Sequence, residues 1–180
     1  MDYLFSEAGS QALDYAVVGR TLFAFDFDGL WRGTPPPELP ADLRRALRQL
    51  ASQARVAVVS GQLRASLLTQ LPGEIGYVVG RDGEPKLTDG PLSKREALAA
   101  LQQHSRCHAV VVVSKAHAEP VFDDAPPDWL TVQVGPPGPS PARYFVNDAN
   151  EVAALLNALL ARLSDCPHAQ VTAGSTGNVK

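Results

Sequence analysis

A chain of 180 residues suits one domain of ordinary size and leaves little room for a second. With 45% hydrophobic and 19% charged residues it has the composition of a soluble globular protein, and a formal net charge of −3 gives no electrostatic reason to expect nucleic acid or an anionic membrane as partner. Two cysteines, Cys107 and Cys166, make neither a disulfide framework nor a zinc cluster, so inert thiols are expected.

In chain order, residues 1–20 carry no basic stretch followed by an apolar one, and no apolar run approaches the roughly twenty residues of a membrane span. A cytoplasmic protein is therefore the expectation. Runs rich in β-branched and aromatic residues at 21–27 (TLFAFDF), 55–60 (RVAVVS), 75–79 (IGYVV), 108–114 (HAVVVVS) and 130–135 (LTVQVG) read as strands. The unbroken apolar run in the fourth suits a central strand buried on both faces. Leu39, Leu43, Ala46, Leu47 and Leu50 fall at helical spacing, as do Leu98 and Leu101. Ser93 with Glu96, and Asp148 with Glu151, form capping-box patterns that start helices near 94 and 149, the second running to about 163. Proline and glycine clusters at 32–40 and 135–141 are surface loops, since strand and helix patterns resume at once on both sides. The alternation predicts an α/β fold with a mainly parallel sheet, one domain over 1–163 and a mobile tail over 164–180.

In an open α/β sheet, ligands collect at the carboxyl ends of the strands. Asp26 and Asp28 end the first run, followed by Gly29, where the backbone can turn sharply. Read as one extended segment, the pair points the same way and addresses one site, with one acid as nucleophile and the other as proton donor. The structural alternative is a strand end with two solvated acids. Ser60 and Gly61 follow the second run and open a helical pattern, which makes either an anion site or a plain serine cap. Lys94, in the first turn of a helix, opposes the helix dipole unless it faces an anion.

Together, FAFDFDG (23–29), VAVVSG (56–61) and LSKREALAAL (92–101) in this order resemble the haloacid dehalogenase (HAD) superfamily, and within it the trehalose-phosphate phosphatases. The segment from 130 to 160, with its A-R-Y stretch and D-x-x-E-V helix, resembles that family's closing strand and helix. The resemblance spans about 20–163 and implies a HAD-like, Rossmannoid three-layer α/β/α core. It implies Asp26 as the nucleophile that forms an aspartyl-phosphate, Asp28 as the acid and base, Ser60, Gly61 and Lys94 as the phosphate holders, and Mg²⁺ held in part by Asp26 and Asp28. Phosphoryl transfer needs such an in-line nucleophile with strong electrostatic support.

Three departures stand against that pattern. Where the family's fourth motif supplies metal-binding aspartates, this chain has Ser114, Lys115 and Ala116, with Glu119 the one nearby acid. An ammonium in place of a carboxylate repels Mg²⁺, and Lys115 is expected to stand where the ion would, neutralising Asp26. The expected threonine after the acid pair is Leu30, followed by Trp31, an apolar pair beside a proline-rich loop that would suit a protein partner. Residues 80–94 leave no room for a substrate-specificity cap, so the cap domain is expected to be absent.

These departures imply a pseudophosphatase that serves as a binding or scaffold module with no cofactor. The alternative is an active capless phosphatase that uses Mg²⁺ and a small phosphorylated ligand. A receiver-like phosphorylation switch is disfavoured, because no lone aspartate ends the third run. His117 reads as a solvated loop residue, since no second histidine is placed to help it.

Overall fold

Val110, Val111, Val112 and Val113 are all buried, the signature of a strand covered by helices on both faces. In the computed structural model, which describes residues 1–30, 39–80, 93–115 and 121–165, this strand lies in the middle of a seven-stranded sheet. The strands are β1 (Asp2–Tyr3), β2 (Thr21–Asp26), β3 (Arg55–Val59), β4 (Tyr77–Val79), β5 (Ala109–Lys115), β6 (Trp129–Val134) and β7 (Tyr144–Val146). The helices are α1 (Glu7–Ala16), α2 (Phe27–Leu30), α3 (Ala41–Gln53), α4 (Arg64–Gln70), α5 (Lys94–Ser105) and α6 (Ala149–Asp165).

Every ladder is parallel, in the order β1-β7-β6-β5-β2-β3-β4. Alternation along each strand splits the core in two. Phe23, Phe25, Val111, Val113 and Val132 face Leu13, Leu47 and Leu155 of α1, α3 and α6. Leu22, Ala24, Val110 and Val112 pack with Leu98 and Leu101 of α5. The chain builds outward from β2 through β3 to β4, then returns to place β5 on the other side of β2. The order therefore reverses between β2 and β5, and the carboxyl ends of those two strands are where such a sheet opens a binding crevice.

The expected strands and the helices from 94 and 149 are present, and α6 reaches Asp165. Two differences bear on function. The strand β2, read as the run 21–27, stops at Asp26, and Phe27–Leu30 is a helical turn. That turn swings Leu30 into the core beside Phe27 (both 3% exposed or less), so Leu30 cannot form the surface expected for a partner. Trp31, Ala116, His117, Glu119 and Cys166 lie outside the described residues, as does the tail from 166. Cys107 is a buried free thiol. No helix among the described residues is long and apolar enough to cross a membrane.

Candidate active site at the β2–β5 switch

Asp26 ends β2, the neighbour of the middle strand, and is buried. A carboxylate there must be compensated, and two side chains do so. Lys94 Nζ lies 3.0 Å from Oδ1, in a pair whose side chains are only 12% and 9% exposed. Ser114 Oγ donates to Oδ2 at 2.7 Å. The sequence explains both placements. Ser93 caps α5 in a complete capping box with Glu96, which fixes the first turn and aims Lys94 at the strand end. The β2–β5 register pairs Phe25 with Val113, so the next step along both strands sets Asp26 beside Ser114.

Strand alternation also decides between the two residues of the altered motif. Ser114 faces Asp26 and is 1% exposed, whereas Lys115 is exposed at the strand end. Among the described residues the cation beside Asp26 is therefore Lys94, and the position expected for Lys115 is taken by the Ser114 hydroxyl.

Asp28 sits in the turn after β2 and not in an extended segment, so it does not simply repeat the direction of Asp26. It turns toward the loop after β3. Oδ2 accepts from Ser60 Oγ at 2.7 Å and from the Gly61 N–H, and Oδ1 accepts from Gln62 Nε2 at 2.9 Å. Burial pushes this carboxyl up, but the donors Gln62, Ser60 and Gly61, with the Lys94 charge, outweigh it and hold the group below its ordinary value. Ser60 caps no helix: α4 starts at Arg64, with Leu63 at its N-cap. The Ser60 hydroxyl instead accepts from the Gln62 N–H at 3.0 Å, closing the turn.

Gln62 and Gln133 escaped the sequence reading. Gln62 gave no signal beyond following a serine and a glycine. Gln133 did give one, as a polar side chain inside an apolar strand. It is 2% exposed, pairs in register with Ser114, donates Nε2 to the Pro136 carbonyl at 2.8 Å, and leaves Oε1 without a partner. The same face of the sheet thus carries Asp26, Ser114 and Gln133 on successive strands.

No family profile matches the chain, and no curated protein matches it. Solved structures do. One is a trehalose-6-phosphate phosphatase from Aspergillus fumigatus, with 11% identity, 89% of this chain and 100% of that one covered, and a TM-score of 0.62. Another is a putative HAD superfamily (subfamily III A) hydrolase from Legionella pneumophila, with 14% identity, coverage of 88% and 92%, and a TM-score of 0.61. A third is the 3-deoxy-D-manno-octulosonate 8-phosphate phosphatase of Moraxella catarrhalis, in complex with magnesium, phosphate and the sugar acid, with 15% identity, coverage of 86% and 95%, and a TM-score of 0.59. The chain has the fold of the HAD-superfamily phosphatases, the trehalose-6-phosphate enzymes among them.

The described residues do not fit the magnesium ion that this fold implies. Mg²⁺ takes six oxygen ligands at about 2.1 Å and parts with few of its waters unless carboxylates replace them. Both oxygens of Asp26 already accept from Lys94 and Ser114, and both oxygens of Asp28 accept from the Ser60–Gln62 loop. The end of β5 offers a hydroxyl that donates its hydrogen bond to Asp26, followed by an ammonium. Among the described residues no three of His, Cys, Asp and Glu come together.

Proposed function

We propose that this chain is a HAD-fold protein, related in architecture to the trehalose-phosphate phosphatases, that has lost efficient phosphoryl transfer and works as a binding or scaffold module. The observation that carries the reading is the state of Asp28. A general acid must hold a proton at working pH and release it in the transition state. Asp28 accepts three hydrogen bonds that tie it to the loop after β3, and these donors favour its ionised form over the protonated form a general acid needs. The restraint on Asp26 supports the same reading, because a nucleophile whose two oxygens both accept hydrogen bonds attacks less readily, although each keeps a second lone pair.

The second reading is an active phosphatase that hydrolyses phosphate monoesters through an Asp26 aspartyl-phosphate. It is favoured by the Lys94–Asp26 pair, which offsets charge where a phosphoryl group would meet the nucleophile. A panel of phosphate esters, assayed with Mg²⁺ on wild type and Asp26→Asn, separates the two. Loss of turnover predicts that both proteins hydrolyse the panel at the same background rate. A wild-type rate at least a hundredfold above that of Asp26→Asn establishes the phosphatase instead.

A further inference from the structure

The disagreement between fold and donor set points to a specific residue. We infer that Ser114 and Lys94 together replace a divalent cation at Asp26, and that Ser114 is the residue that makes this site indifferent to Mg²⁺. The inference deepens the reading above and rests on the same site.

A cation beside a carboxylate does two things: it cancels the charge and it fixes the oxygens in place. Here Lys94 supplies the charge from a capped helix start, and Ser114 fixes the second oxygen from the neighbouring strand. The hydroxyl proton points at Asp26 Oδ2, where a metal would need a lone pair to share. The polarity at that spot is therefore reversed with respect to ion binding. Ser114 is 1% exposed and Asp26 is 6% exposed, so little bulk water offsets that reversal.

The row across the sheet says how the preference would reverse. Gln133 pairs with Ser114 in register and holds an amide oxygen with no partner. A carboxylate at 114 would stand between Asp26 and that oxygen, giving two acids and one neutral oxygen on three successive strands. That is a donor set a hard cation accepts.

The test is calorimetric titration of MgCl₂ into the full chain, alongside thermal unfolding in MgCl₂ and in NaCl of equal ionic strength. Wild type is expected to give the same heats as Asp26→Asn and no Mg²⁺-specific rise in Tm. Ser114→Asp is expected to bind one equivalent at least tenfold more tightly than wild type, with a Tm that rises in Mg²⁺ alone. If Ser114→Asp does not fold without metal, its recovery in MgCl₂ but not in NaCl is the same gain. The proposal is overturned by a one-site Mg²⁺ isotherm in wild type that Asp26→Asn abolishes. It is equally overturned if Ser114→Asp gains no Mg²⁺ response, whether it folds or stays unfolded in both salts. The outcome is separable from turnover: a wild type without Mg²⁺ binding that still hydrolyses esters defeats the earlier reading and spares this one, and Mg²⁺ binding without turnover does the reverse.

Discussion

Two carboxylates, one at the centre of the sheet and one in a helix beside its edge, are each held by a small set of donors. Asp26, at the central switch point, accepts from Lys94 and Ser114 and is buried. Glu151, in the first turn of α6 beside the β1–β7 edge, accepts from the Tyr3 hydroxyl at 2.9 Å, the Asn147 N–H at 2.8 Å and Asn147 Nδ2 at 2.9 Å. At the edge the two Asn147 bonds are exposed and the Tyr3 bond is half-buried, so water competes for most of the network, which fastens a two-residue strand and on which little depends. At the centre little water is at hand, so removing one partner leaves a poorly compensated charge. The comparison teaches that burial, more than the number of hydrogen bonds, decides what each network is worth.

The comparison is sharpest in Lys94→Met, which strands the Asp26 charge. Urea unfolding should show a loss of about 3 kcal/mol, as for one partner removed from a buried pair. Adding Asp26→Asn should restore most of it, and additive losses in the double variant would mean that the pair is not coupled.

A steric test of the edge comes next. A Cβ at Gly9 would overlap the Leu4 backbone, which follows β1 directly. Gly9→Ala should cost about 2 kcal/mol by crowding alone and should raise hydrogen exchange at Asp2 and Leu4, whose amides bond to the Arg143 and Phe145 carbonyls.

Ser114→Ala leaves one buried carboxylate oxygen without its donor, and a loss of about 1.5 kcal/mol is expected on chemical unfolding. Tyr3→Phe removes a bond of similar length at the half-buried edge and should cost less than Ser114→Ala. The reverse order would break the comparison.

The smallest effect is in acid. For Glu151, burial raises the carboxyl, but the Asn147 side chain and N–H with the Tyr3 hydroxyl outweigh it, so the group lies below its ordinary value, as Asp28 does. A folded value below the unfolded one means that the unfolded chain binds more protons. The stabilisation is complete above about pH 4 and is lost as pH falls through the folded values. Stability measured from pH 6 to pH 2 should fall in that window, and Tyr3→Phe should flatten the fall slightly.

Much of this arrangement is legible in the residues themselves. The apolar runs give five strand signals and the parallel class, because a strand buried on both faces has a composition that few other elements share. The strands β1 and β7 are too short to show a period, and they exist because a sheet edge was available to pair with. The stretch 23–27 alternates as a strand does, yet the chain turns into a helix at Phe27, and the burial of Leu30 follows from that turn. In the site, the order of Asp26, Ser60 and Lys94 gives their neighbourhood. The contact of Ser114 with Asp26 does not follow from order, since it depends on a register between strands 88 residues apart. Alternation alone shows that Ser114 and Lys115 cannot both face Asp26, and the register selects the serine.

The most direct test of the central claim is a crystal structure of the wild-type chain grown with Mg²⁺ and a tetrahedral phosphate mimic. The account predicts Lys94 Nζ still on Oδ1 and Ser114 Oγ still donating to Oδ2 of Asp26 near its present 2.7 Å. An ion about 2.1 Å from an Asp26 oxygen, with Ser114 turned away, would contradict it.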